Sequence, residues 1–137
     1  MPIELSFTIQ KTSAFIFEYL TDMQKFLKVH PIITQIDSNG NDSYIIHETL
    51  KFLFIPCSFT YPVTIESNPF EKIVIMRATI MKFTKIEMTF VLKSYSDFTV
   101  VEENIQIQSP LPIQSIIHII FKKQHKNLFK NIEMQMK

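Results

Sequence analysis

Between residues 32 and 108 the sequence reads almost entirely as strands, and the stretch beyond Pro110 and Pro112 reads as one long helix. Apolar and polar side chains alternate through Ile32 to Ser38, Ser43 to about Leu53, and then about 57–67, 71–80, 82–95 and 98–108. Asn39-Gly40-Asn41 is the strongest hairpin signal, with Asn68-Pro69 and Ser94 to Asp97 as further turns. A weaker turn falls near Met81, and Pro56 is expected to interrupt pairing. Residues 113–135 switch to helical spacing. There Ile113, Ile117, Ile120, Gln124, Leu128 and Asn131 share one side, flanked by Ile116, Phe121 and Ile132. Six successive strands and a single long helix call for an antiparallel sheet with that helix covering one face.

The first thirty residues add one more strand and two short helices. Ile3, Leu5, Phe7 and Ile9 alternate with Glu4, Ser6, Thr8 and Gln10. Thr12 and Ser13 are N-cap candidates for a helix carrying Phe15, Ile16, Tyr19 and Leu20. Asp22 can cap a second helix with Phe26 and Leu27, which stops at His30-Pro31 because proline disfavours helical geometry in its predecessor. The expected class is therefore α+β, a seven-stranded antiparallel curled sheet around a long C-terminal helix. No linker or repeat intervenes, so 1–137 reads as one domain. A helix about 10–12 Å across does not fill the concavity of a strongly curled sheet, so a cavity between the two is expected.

Composition removes several function classes. With Gly40 as the only glycine, neither a Walker loop nor a dinucleotide fingerprint can be built. A lone Cys57 excludes an intrachain disulfide framework and multi-cysteine zinc sites, and reads best as a buried inert thiol. His118 and His125 share a helix flank about 10.5 Å apart along the axis, too far to hold one ion. His30 is expected to cap or pack. No metal and no cofactor are expected. Charge is uneven: nine basic against twelve acidic side chains in 1–112, then five Lys against one Glu in 113–137. A solvated helix face is the favoured reading of that basic segment. Basic and aromatic side chains do not interleave on a strand, which argues against nucleic acid. The N-terminus lacks signal-peptide character and no apolar run suits a membrane span. A cytoplasmic protein without stable membrane insertion is expected, and a homodimer stays open.

Local motifs point to a family. The run Thr12-Ser13-Ala14-Phe15-Ile16-Phe17-Glu18-Tyr19-Leu20-Thr21-Asp22, followed by Phe26-Leu27, His30-Pro31 and Ile36-Asp37, resembles the opening of START-like, polyketide cyclase-like helix-grip proteins. Pro62 to Arg77, with Asn68-Pro69 and then Ile73-Val74-Ile75-Met76-Arg77, is similar to a hairpin of the same superfamily. The tryptophan common near the His-Pro is absent, as are the glycines often seen in the sheet. The resemblance implies a helix-grip fold. It also implies the superfamily's range of roles: binding lipids, sterols, polyketides or quinones, cyclising or hydrolysing, or mediating protein contacts.

Strand parity nominates inward side chains. Tyr44, Ile46, Glu48, Leu50 and Phe52 share one face, and so do Val101, Glu103, Ile105 and Ile107. Glu48 and Glu103 would then be carboxylates on an apolar surface, where burial raises their pKa and suits them to general acid or base work. A bulge in either strand would turn them outward. In the superfamily's usual order two strands separate theirs. Tyr61, Met88, Ile117, Phe121 and Gln124 are expected to line the same space, with Gln124 and Asn131 as orienting groups. Arg77 stays open: the outside is favoured, because Val74, Met76, Ala78 and Ile80 form the cleaner inward face, while the other parity places it inside with Ile73 and Ile75, where it would clamp a ligand carboxylate or Glu48. Phe52-Leu53-Phe54-Ile55-Pro56 either guards a cavity mouth, touches a partner, or continues a strand.

These readings favour a binding protein for a hydrophobic or amphipathic small molecule, held between sheet and helix. The alternatives are a cyclase- or hydrolase-type enzyme using Glu48 or Glu103 as general acid/base, and a protein-interaction module.

Overall fold

The computed structural model describes residues 2–52 and 55–136. Strand β1 (Ile3–Ile9) leads into α1 (Ser13–Thr21) and α2 (Met23–Val29). Six strands follow: β2 (Ile33–Gly40), β3 (Ser43–Phe52), β4 (Ile55–Asn68), β5 (Ile73–Ile80), β6 (Thr84–Ser94) and β7 (Thr99–Gln108). Helix α3 (Gln114–Glu133) closes the chain. The sheet order is β1-β7-β6-β5-β4-β3-β2, every neighbouring pair antiparallel.

Both short helices start where side-chain oxygens satisfy free backbone N–H groups. Thr12 Oγ1 accepts from the Phe15 N–H, and Asp22 Oδ1 accepts from the N–H groups of Gln24 and Lys25. The β2–β3 hairpin turns one residue later than the sequence signal suggests. Asn41 (φ 52°) and Asp42 (φ 60°) form its two-residue loop, both left-handed as such hairpins require. Gly40 (φ 82°) takes up the register shift beside the loop. The β5–β6 turn begins at Met81 as expected, with Met81 (φ 57°) and Lys82 (φ 69°) left-handed without help from glycine or asparagine.

Pro56 does not interrupt pairing: it sits within β4 opposite Lys51, and Pro62 sits opposite Ile45. Strand β5 pairs only with Val63 to Asn68, so the half of β4 that carries both prolines has a free side where a missing N–H costs nothing. The start of β4 is exposed, Cys57 included, so this thiol is not the buried group expected. Leu53 and Phe54 lie outside the described residues, and neighbouring Ile55 is 69% exposed.

The core lies between the concave face of the sheet and the three helices. Ile16, Leu20, Val74, Val101, Phe129 and Ile132 are fully buried there. Register shifts occur in β2, while β3–β4 and β6–β7 pair without interruption. The sequence-derived parity therefore survives. Glu48 and Glu103 are buried at 8% and 2% exposure, and Arg77 points outward to Glu66 and Glu87.

Candidate functional site

Among the described residues, α2, α3 and the concave face of the sheet enclose a pocket of about 60 Å³. That is room for about two water molecules, against roughly 300–1000 Å³ for a site holding a drug-sized ligand. The wide cavity expected from helix diameter is thus largely filled. Phe26 from α2, Phe121 from α3, and Met76, Met88 and Phe90 from the sheet occupy the space the helix leaves. Five polar side chains interrupt this apolar wall: His30, Glu48, Tyr61, Gln124 and His125.

Glu48 and Tyr61 meet across the β3–β4 ladder, where the Tyr61 hydroxyl donates to Glu48 Oε2. Burial lifts the Glu48 carboxyl above its usual range, opposed by the Tyr61 hydrogen bond and by His125. Burial, with the Glu48 carboxylate beside it, drives the Tyr61 hydroxyl far above its ordinary value, so it stays neutral and remains a donor.

His125 and Glu103 form a second pair, reaching from α3 to β7. His125 Nδ1 lies 2.7 Å from both carboxylate oxygens and is hydrogen-bonded to Oε1, while Oε2 has no hydrogen-bond partner among the described residues. Both side chains are almost completely buried, and the imidazole stacks on Phe121 with ring centres 5.2 Å apart.

His30 ends α2. Its Nδ1 accepts from the N–H groups of Ile32 and Ile33, both at 3.3 Å, so the ring proton belongs on Nε2. Burial, assisted by His125, pushes this imidazole down to about 3, and it is neutral at ordinary pH. Gln124 completes the set: its Nε2 is buried without a hydrogen-bond partner among the described residues.

Of the sequence-predicted residues, Glu48, Tyr61, Met88, Phe121 and Gln124 line the pocket. Glu103 does not; it stands behind His125 and supports it. Ile117 packs instead against a separate cluster of Ile3, Leu5, Ile86 and Ile105. Asn131 is not an orienting group in the pocket, since its Nδ2 donates to the Val29 carbonyl at 2.8 Å and ties α3 to the end of α2. Three strands, not two, lie between Glu48 and Glu103. The carboxylates therefore act apart, one hydrogen-bonded by a phenol and one by an imidazole.

Sequence reasoning missed His125 and His30 as pocket residues. Phe121, His125 and Phe129 recur every four residues on α3, and that spacing was the available signal for His125. No group of three or more His, Cys, Asp or Glu side chains suited to a metal ion occurs among the described residues. No helix among them is long and apolar enough to cross a membrane.

A strand whose partner is β7, two short helices inserted after it, and a long helix across the concave face of a seven-stranded antiparallel sheet define the architecture. The fold is the START-like helix grip. It is similar to a START superfamily protein from Mycobacterium smegmatis at TM-score 0.73 and 15% identity, covering 96% of this chain and 94% of that one. Ara h 8.0201 matches at TM-score 0.75 and 15% identity over 97% and 95% of the two chains. The Zhui aromatase/cyclase from Streptomyces sp. R1128 matches at TM-score 0.72 and 8% identity over 97% and 91%. At these identities the likeness is one of fold. No protein-family model matches the sequence, and no curated protein does.

Proposed function

We propose that the protein binds a hydrophobic or amphipathic small molecule, of lipid, quinone or polyketide-like character, between the sheet and α3. The single observation that carries this is the Gln124 amide nitrogen, buried in the pocket wall without a hydrogen-bond partner among the described residues. A buried N–H group without an acceptor costs about 1–3 kcal/mol, and a ligand carbonyl or hydroxyl oxygen removes that cost. Glu48, Tyr61 and His125 add polar groups around the same end of the ligand, while Met88 and Phe121 contact its apolar body. At about 60 Å³ the pocket must expand on binding. Met23, Met76 and Met88 in its wall are the side chains best able to repack. The first half of α3 is suited to moving aside, because its Ile116 and Ile119 are exposed and Ile113 offers no side-chain cap.

The test is native mass spectrometry and thermal shift against fatty acids, quinones and aromatic polyketides. The expected result is a one-to-one adduct with at least one class, weakened at least tenfold by Gln124→Leu. Absence of any adduct or shift across the panel sinks the proposal.

A second reading has its own observation. Glu48 is a buried carboxyl with a raised pKa and a phenol hydrogen-bonded to it, an arrangement suited to general acid catalysis. Cyclase or hydrolase chemistry on the bound molecule would use Glu48 as the proton donor. Turnover of a bound polyketide-like substrate, lost in Glu48→Gln with binding retained, distinguishes this reading from binding alone.

A further inference from the structure

The two edges of the sheet are finished differently. Strand β2 carries two register shifts, which spoil it as a template for another strand. Strand β1 pairs with β7 in unbroken register from Ile3 to Ile9, and its other side faces a groove of about 600 Å³. The far wall of that groove is α3, whose His118, Lys122, Lys126 and Lys130 line it at steps of four residues. All four are exposed, and the three lysines make no ion pair among the described residues.

The spacings of the two walls agree. Four residues of α-helix rise about 6 Å, and two residues of strand advance about 6.8 Å. From His118 to Lys130 the basic side chains span about 18 Å, and β1 from Glu4 to Ile9 spans about 17 Å. A strand added to β1 would therefore bring every second side chain opposite successive basic side chains. The chain already places one carboxylate on this backbone: Glu133 Oε2 accepts from the Gln10 N–H at 2.7 Å, closing the groove at that end.

We infer that this groove takes an extended acidic peptide, added antiparallel or parallel to β1, with carboxylates at alternate positions facing His118, Lys122, Lys126 and Lys130. The backbone supplies affinity through the free strand edge and the charges supply register and selectivity. A second copy of this chain is a poor occupant, because pairing β1 with β1 brings two cation rows together. Nucleic acid and anionic lipid match the charge, and their phosphate oxygens can accept from the N–H groups, but they present no ladder of alternating donors and acceptors to pair the C=O groups of the edge as well.

The experiment uses the whole protein and a fluorescent octapeptide alternating glutamate with valine. Two copies carry N-methyl groups on one or the other set of alternate backbone nitrogens, and a third has the same composition with its glutamates in one block. Binding is read by anisotropy and by amide hydrogen exchange in β1. The expected result is at least tenfold weaker binding for one N-methylated copy, for the block peptide, and for Lys122→Glu combined with Lys126→Glu. Slowed exchange in β1 accompanies binding of the parent peptide. Both lysines are exposed, so the double variant keeps its circular dichroism and melting profile. The inference is overturned if both N-methylated copies bind within twofold of the parent, or if β1 exchange is unchanged. It is also overturned if phosphatidylglycerol vesicles or a single-stranded 20-mer DNA bind more tightly than the peptide.

Discussion

Acid should strip stability from this fold through one imidazole, His30. The ring ends α2 and turns the chain into β2. Its Nδ1 receives two backbone N–H groups, and the ring packs 5.3 Å from Phe26, so the folded protein has no place for a proton on Nδ1. Its pKa falls from 6.5 to about 3, burial being the larger cause and His125 the smaller. Below pH 6.5 the unfolded chain binds a proton that the folded chain refuses. The stability held by neutral His30 is complete above that value, declines as pH falls, and stops declining near pH 3. Each unit is worth about 1.4 kcal/mol, so about 3 kcal/mol is gone by pH 4. That is a large part of the ~5–15 kcal/mol typical of a domain. Glu48 works in the opposite direction: with its pKa raised, the folded state takes up its proton first, and acidification through that window adds stability. Comparing the wild type with His30→Asn separates the two, since the Asn side-chain oxygen can accept the same N–H groups and does not titrate. Urea unfolding followed by circular dichroism at pH 7, 6, 5 and 4 is the assay. The variant should be less stable at pH 7, with the gap closing by about 3 kcal/mol at pH 4. A gap constant to within about 0.5 kcal/mol across that range would refute the assignment.

Tyr61→Phe removes a hydrogen bond that lowers the Glu48 pKa, so carbon-13 NMR titration should find Glu48 titrating at still higher pH. His125→Ala leaves the buried Glu103 carboxyl without its imidazole partner, and urea unfolding should register a loss of about 3 kcal/mol. Lys82→Gly relieves a left-handed residue that carries a Cβ at φ 69°. Offset by the greater freedom of glycine when unfolded, the gain should be about 0.5–1 kcal/mol, read as a rise in melting temperature.

The legible parts of the structure are those ruled by short-range alternation. Parity placed Glu48 and Glu103 inward and Arg77 outward because β3, β5, β6 and β7 keep unbroken register over those residues. The helix was harder to read. A stripe through Ile113, Ile117, Ile120, Gln124 and Leu128 treats α3 as buried along its whole length. In fact its first half leaves Ile116 and Ile119 exposed, while its second half buries Gln124, His125, Leu128, Phe129 and Ile132. The angle at which a helix crosses a curled sheet depends on the bulk beneath it, and no local pattern encodes that. The same reason explains the pocket. Helix diameter argues for empty space, but the phenylalanines and methionines that close it come from α2, α3, β5 and β6. Pro56 and Cys57 were misjudged because the shortness of β5, which leaves half of β4 open on one side, is a property of its neighbour.

The pairing of β1 with β7 has a consequence for how the molecule is assembled. From β3 to β7 each strand pairs with the one made just before it, so the six strands β2 to β7 can zip up through short loops. Strand β1 has no such neighbour: Ile3 pairs with Ile105 and Phe7 rests on Phe129, more than a hundred residues away. Closing loops of that length is the slow part of folding for a sheet. Of the seven strands, the first to be synthesised is therefore the last to be seated, and it waits, with half its side chains apolar, until β7 exists.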